Sequence, residues 1–281
     1  MMNRKWKSRV EVALIYLFIA FMFVVIAYPL LWTISMSLNP GTSLYSASLI
    51  PEKWSFEHYK WLFTSPESDY LLWYKNSLFV AAANAALSVL FTALIAYAFS
   101  RYKFVGRKTG LYLFLVLQMF PSLMAMVAIY ILLNMLHLLD SLWGLILIYV
   151  GGQIPFNAWL VKGYFDTIPR ELDEAARIDG AGHFGVFFRI MLPLAKPILA
   201  VVALFNFMAP FTDFLLPSIV LRDPDKFTLA VGLFNFISDR FANNFTRFAA
   251  GSILIAAPIA VVFLFLQRYL ISGLTAGGTK G

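Results

Sequence analysis

Only 13% of the residues in this 281-residue chain are charged, so the places where charge and glycine interrupt its apolar runs are where chemistry is expected. The most informative of these is EAARIDGAGHFGVFFRIMLP, from Glu174 to Pro193. Glu174-Ala175-Ala176 is followed by three residues ending at Asp179, then Gly180, nine residues, Ile190, one residue, and Leu192-Pro193. Pro169 suits a helix start, and Glu171, Asp173 and Glu174 fall in the first turns, where the positive end of the helix dipole favours carboxylates. Gly180 is suited to end that helix in the left-handed conformation. A second short helix is expected, with Phe184, Phe187, Phe188 and Met191 at i, i+3, i+4 and i+7 as one apolar stripe that Pro193 stops. This is the make-up of a docking surface, not of a bond-making site. An amphipathic segment resting on lipid is the alternative; it accounts for the phenylalanines but not for the acidic first helix, the glycine and the Leu-Pro ending.

The second feature is Asp213, inside an apolar window where a carboxylate costs roughly 2.5–3.5 kcal/mol at a helix centre. It is expected to face protein or water. Asn206 and Thr212 stand near it, Pro210 is placed to kink the helix between them, and Asn84, Gln118 and Asn157 dot other windows. Asn206, Thr212 and Asp213 are candidates for a translocation path suited to a hydroxyl-rich solute. Read as structure, the amides tie helices together, and Asp213 pairs with a partner subunit at an outer gate.

Other chemistries are absent from the sequence. There is no cysteine, which removes disulfides, thiolate catalysis and Cys-based metal sites. His58, His137 and His183 are far apart, and no H-E-x-x-H or G-x-S-x-G occurs. No metal or catalytic set is expected. The string nearest a P-loop, Gly273 to Lys280, has Thr279 before its lysine and no helix after it. The chain therefore binds no ATP by that means, and if ATP drives it a second polypeptide hydrolyses the nucleotide.

The elements that position these residues are membrane helices. The composition is 60% hydrophobic and the mean hydropathy is +0.76, which marks an all-α polytopic membrane protein. Apolar windows of spanning length lie near residues 12–36, 76–99, 110–134, 142–163, 197–221 and 249–271, giving six expected transmembrane helices. With both termini in the cytoplasm, Lys and Arg number 15 inside and 7 outside, the bias expected of cytoplasmic loops. The net charge of +7 thus needs no nucleic acid. The first apolar run is too long for a signal peptide and reads as a retained helix. Pro121, Gly151, Gly152 and Pro155 are expected bends. Residues 39–75, with Trp54, Tyr59, Trp61, Tyr70, Trp73 and Tyr74, read as an interfacial external loop, and 222–248 as a polar one; either could meet a soluble partner.

The Glu174–Pro193 pattern resembles the cytoplasmic coupling loop of ABC-importer permease subunits, here residues 167–193, in which two short helices dock into a cleft on the ATPase. The ending QRYLISGLTAGGTKG and the stretch LLPSIVLRDPDKFTLAVGL from Leu215 to Leu233 are similar to the smaller permease subunit of maltose and maltodextrin importers. The likeness thus spans essentially the whole chain. It implies a type I ABC importer fold: residues 1–75 carry the amino-terminal tail, first helix and external loop, 76–271 the transport core, and 272–281 a cytoplasmic tail. It implies ATPase coupling by Glu174, Ala175, Ala176, Asp179, Gly180, Ile190, Leu192 and Pro193. The implied partners are a homologous second permease subunit, two ATPase subunits holding ATP and Mg, and an extracytoplasmic sugar-binding protein, with no cofactor on this chain. The implied cargo is an oligosaccharide, maltose or maltodextrin, with a galacto-oligosaccharide as the alternative. The sugar would be held mainly by the larger permease partner. Read alone, the tail is a strand-like or disordered extension; the resemblance implies that it reaches toward the ATPase. A secondary transporter would be expected to show an inverted repeat and more intramembrane ionisable groups, and a membrane enzyme a convergent reactive set.

Overall fold

In the computed structural model, which describes residues 4–42, 50–51, 53–238 and 244–278, the described residues contain helices and no strand. In chain order these are α1 (Arg4–Ser37), α2 (Glu57–Thr64), α3 (Tyr70–Arg101), α4 (Arg107–Gln118), α5 (Ser122–Met135), α6 (Leu142–Asp166), α7 (Glu171–Ile178) and α8 (His183–Val186). A π-helical turn (Phe187–Met191) leads to α9 (Leu192–Leu194), α10 (Lys196–Thr212) and α11 (Leu215–Val220). A 3₁₀ turn (Pro224–Lys226), α12 (Leu229–Ser238) and α13 (Phe245–Gly278) complete the chain.

Four helical stretches, Val10–Ser37, Tyr70–Arg101, Leu142–Asp166 and Phe245–Tyr269, are long and apolar enough to cross a membrane. Two bent pairs raise the number to six if each is one span: Arg107–Gln118 with Leu123–Met135, bent by 105°, and His183–Leu194 with Lys196–Thr212, bent by 78°. The expected third and fifth spans are therefore not single helices. The third breaks at Pro121, which is extended at ψ 122° and has no N–H to continue the ladder. The fifth ends at Thr212, because Asp213 is extended at ψ 117°. Pro155 and Pro210 lie inside helices that continue through them.

The described residues fall into two packed units, one from the stretches Met1–Ser68 and Leu233–Leu254, the other from Asp69–Gly232 and Ile255–Gly281. In the second, α3 is the central helix and α6 and α10 pack against it. Its buried positions Ser77, Ala81, Asn84, Ser88, Thr92, Ala96 and Ser100 recur every three or four residues. Such small side chains on one face let neighbouring membrane helices approach closely. Val80 on α3 joins Leu145, Tyr149, Leu216 and Val220 in one buried apolar cluster. Ala93, Ala96 and Tyr97 join Val161, Phe165, Phe187, Met191 and Leu199 in another.

The expected external segments hold more structure than a surface loop. Tyr70 and Trp73 are buried on α3, and the Trp73 indole donates to the Pro224 carbonyl at 3.2 Å. Gly232 lies against the Trp73 ring, where a Cβ would overlap it. The expected polar loop 222–248 contains the apolar helix α12, whose ten residues fall short of a spanning length. In the first unit, Trp61 lies edge-on to Phe236, the Arg247 guanidinium stacks 3.8 Å from the Trp61 ring, and Tyr59 bonds Ser37 at 2.8 Å. The carboxyl-terminal tail is helical to Gly278 rather than strand-like; the expectation for residues 279–281 lies outside the described residues.

Candidate functional site

The segment that sequence singles out is built by its own backbone. Glu171, Asp173 and Glu174 occupy the first turn of α7 and Arg177 its last, matching the helix dipole at both ends. Gly180 takes φ +87°, its N–H bonds the Arg177 carbonyl at 3.0 Å, and the Ala181 N–H bonds the Ala176 carbonyl at 2.9 Å. These paired bonds form a Schellman motif, which satisfies carbonyls a helix end would otherwise orphan. No neighbour lies within 4 Å of where a Gly180 Cβ would sit, so the demand for glycine is one of backbone conformation alone.

The second arm differs from the single stripe. Phe187 and Met191 are buried, but Phe184 and Phe188 are exposed. The π-helical turn holds one more residue per turn than an α-helix, and the four side chains divide between the core and the outside. Pro193 does not stop the helix: it sits at the start of α9, and the 78° bend follows at Ala195. Of the expected coupling residues, Glu174, Ala175, Asp179, Gly180 and Pro193 are exposed, Ile190 and Leu192 are half-buried, and Ala176 is buried. Ile178 and Phe184 add exposed apolar side chains to the same tip.

Beneath that tip lies an anchor that sequence reasoning missed. Arg101, the last residue of α3, pairs with Asp173 through its Nε at 2.5 Å, and the two side chains are 4% and 7% exposed. Its Nη2 donates to the Ile168 carbonyl at 2.9 Å and its Nη1 to Ser100 Oγ at 3.2 Å. The guanidinium thus ties α3 to both ends of the turn entering α7. Tyr97, one turn earlier, packs on Phe187 at 5.0 Å, and Tyr102 Oη bonds His183 Nδ1 at 2.9 Å. In sequence, Arg101 is one more cation at a span's end and Asp173 one more carboxylate in a first turn; nothing local marks them as partners.

The polar groups at depth separate into two kinds. Asn84, on α3, donates to the Asn206 carbonyl at 2.7 Å and to Gln153 Oε1 at 3.2 Å, and Asn157 donates to Asn206 Oδ1 at 3.2 Å. Asn206 Nδ2 in turn donates to the Val202 carbonyl at 2.6 Å. These amides join α3, α6 and α10, the structural reading of the pair offered by sequence. Asn206 and Asn157 also edge a cavity of about 480 Å³ with Gln118, Gln153, Phe156 and Phe205. Thr212 is exposed and bonds its own helix at Ala209. Asp213 is not within a helix. Its Oδ1 accepts the Leu215 and Leu216 amides at 2.9 and 3.2 Å, capping α11, and its Oδ2 accepts the Tyr149 hydroxyl at 2.9 Å. Asn206, Thr212 and Asp213 thus each bond to different groups. Among the described residues no group of three His, Asp or Glu side chains is placed to hold a metal.

The fold is that of an ABC importer's membrane subunit. It matches a chain of the crystal structure of a bacterial ABC transporter involved in the import of the acidic polysaccharide alginate with TM-score 0.79 at 23% identity, covering 96% of this chain and 99% of that one. Residues 88–275 match the family described as the binding-protein-dependent transport system inner membrane component, and the chain belongs to that family. Over 280 residues it is 50% identical to the galactooligosaccharides transport system permease protein GanQ of Bacillus subtilis (strain 168), covering 99% of each chain. It is 51% identical over 266 residues to the maltodextrin transport system permease protein MdxG of the same strain, covering 95% of each. To the maltose/maltodextrin transport system permease protein MalG of Escherichia coli (strain K12) it is 40% identical over 287 residues. It is thus a permease of a carbohydrate ABC importer, a multi-pass component of a bacterial membrane.

Proposed function

We propose that this chain is the smaller-type permease subunit of an importer for an uncharged oligosaccharide, a maltodextrin, working beside a homologous second permease, two ATPase subunits and an extracytoplasmic sugar-binding protein. ATP and Mg belong to the ATPase subunits, and this chain itself catalyses no reaction. The observation that carries the reading is the Schellman-capped α7, which leaves Glu174, Ala175, Asp179 and Gly180 exposed while Asp173 anchors the other face to Arg101. A load applied to Glu174 by a closing ATPase would pass through Asp173 and Arg101 into α3, the helix at the centre of the transport core. Ile190, Leu192 and Pro193 carry the same load into α10 through the bend at Ala195. The Asn206 amides hold the core together, and Asp213 stands on the path side at the break between α10 and α11.

Each bent pair is one span, giving six, and both termini lie in the cytoplasm, as the Lys and Arg distribution favours. Because the chain has no cysteine, single cysteines at Ser65 and Ala181 are unique reporters. Ser65→Cys should label from outside the cell and Ala181→Cys only from inside; external labelling at 181 defeats the coupling reading. The substrate is tested with the reconstituted complex and its binding protein. ATP-dependent uptake of a maltodextrin supports the assignment, whereas uptake of a galacto-oligosaccharide alone moves it to the other sugar class named among the relatives.

A further inference from the structure

The loop after Arg101, the start of α4 and Lys162 of α6 enclose a cavity of about 550 Å³ whose charged lining is wholly basic: Lys103, Arg107, Lys108 and Lys162. Its size lies within the roughly 300–1,000 Å³ of small-molecule sites. Two of the four cations are already engaged. Arg107 donates to the last carbonyls of α3, Phe99 at 2.6 Å and Ser100 at 3.2 Å, which fixes the loop, and Lys162 pairs with Asp166 one turn away. Lys103 and Lys108 are exposed and form no ion pair among the described residues. Two uncompensated positive charges therefore stand over a ready-made hollow.

The flanks of the hollow decide which anion suits it. Phe104 and Val105 are exposed at its rim, and α4 carries exposed Tyr112, Leu115 and Val116 onward from it. A soluble phosphate would use the lysines alone and make no use of this apolar strip, which leads into the bent helix pair read as one membrane span. An amphiphile with an anionic head uses both, and basic pockets beside membrane helices attract such heads. We propose that this cavity binds the phosphodiester headgroup of an anionic phospholipid, with the acyl chains lying along the exposed face of α4.

The test uses the whole transporter in detergent, stripped of lipid and titrated with phosphatidylglycerol or phosphatidylcholine, with bound lipid read by native mass spectrometry. Phosphatidylglycerol should bind more tightly than phosphatidylcholine. Lys103→Gln with Lys108→Gln should weaken phosphatidylglycerol alone by about 25-fold, roughly fivefold for each lysine, while Lys103→Arg with Lys108→Arg should retain it. Lys196→Gln, on a lysine outside the cavity, should change nothing. Undiminished phosphatidylglycerol binding by the double glutamine variant, an equal loss in Lys196→Gln, or displacement by inorganic phosphate at the concentrations at which the lipid binds overturns the proposal. Loss of the ATPase subunits from the double glutamine variant would instead make this face a protein interface, and likewise refute it.

Discussion

Asp173 and Asp213 both stand where a helix begins after a break, in the same packed unit, yet they are held in opposite ways. Asp173 meets a full positive charge, the Arg101 guanidinium, with both side chains almost wholly buried. Asp213 is half-buried and spreads its charge over two backbone amides and the Tyr149 hydroxyl. A buried ion pair is all or nothing, because removing one partner strands the other charge in a poor solvent. A carboxylate satisfied by neutral donors loses one bond at a time. The α3–α7 junction is therefore built as a stiff joint, and the α10–α11 break as a local cap that tolerates change.

The largest effect should come from breaking the stiff joint. Arg101→Met should destabilise the chain by roughly 3–5 kcal/mol by stranding Asp173, whereas Arg101→Met with Asp173→Leu should recover most of that loss. Thermal unfolding of the complex in detergent measures both. Equal losses in the single and double variants would show that the pair is no joint, and the contrast with Asp213 would collapse. If the pair transmits load, the double variant should also assemble and hydrolyse ATP while transporting poorly, an uncoupling that lost stability alone would not produce.

Next comes the hinge that presents this end. Gly180→Val forces a β-branched residue to φ +87°, at a cost of at least about 1–2 kcal/mol. Gly180→Asn should lose much less, because asparagine tolerates the left-handed region. Transport and partner-stimulated ATP hydrolysis should follow the same order. Since a Cβ there meets no neighbour, equal losses for valine and asparagine would mean that the docked partner, and not the backbone, excludes side chains.

How much of this was legible in the sequence follows the range of each interaction. The α7 helix and its Gly180 end are written in adjacent residues, and the structure has both. Small and polar residues recur along α3 in plain view, but their partners on α6 and α10 do not. The Arg101–Asp173 pair joins distant points of the chain and leaves no local trace. Pro210 suggested a kink; the break comes at Asp213 instead, because its carboxylate can receive the free amides of Leu215 and Leu216. The apolar run of α12 is too short for a span and stands between Arg222, Lys226, Arg240 and Arg247, so charge counting concealed it as a polar loop. A π-helical turn, which redistributes the phenylalanines, has no pattern of its own in a sequence read with an α-helical period.

The tolerant end predicts a smaller effect. Asp213→Ala removes the cap of α11 and should cost about 1 kcal/mol. Asp213→Asn keeps an acceptor oxygen and should cost less. In uptake assays Asp213→Asn should lower the maximal rate more than the apparent affinity, since the external binding protein sets affinity under the proposed function. A large loss of stability in Asp213→Asn, comparable with Arg101→Met, would mean that its charge matters as much as that of Asp173.

The smallest effect concerns a third carboxylate, Asp140, between α5 and α6, which takes both kinds of partner. It accepts the Arg222 and Asp223 amides at 2.9 and 3.1 Å and the Lys226 ammonium at 2.8 Å. Partial burial alone would raise its pKa, but the Lys226 ammonium and the two amides outweigh burial and hold the carboxyl below its ordinary value. Lys226 is correspondingly raised. For a carboxyl depressed by folding, the stabilisation is fully present above the unfolded carboxylate pKa and is lost as pH falls through the folded one. The Asp140–Lys226 contact should therefore hold through neutral pH and weaken only in acid. Lys226→Gln should leave the two amide bonds in place, bring the Asp140 titration back toward the ordinary carboxylate range, and barely change unfolding at neutral pH, as expected of an ion pair open to water. NMR of the Asp140 carboxyl carbon in the two forms reads that shift. An unchanged titration in Lys226→Gln would assign the depression to the backbone amides and place Asp140 with Asp213; a large shift would place it between Asp213 and Asp173.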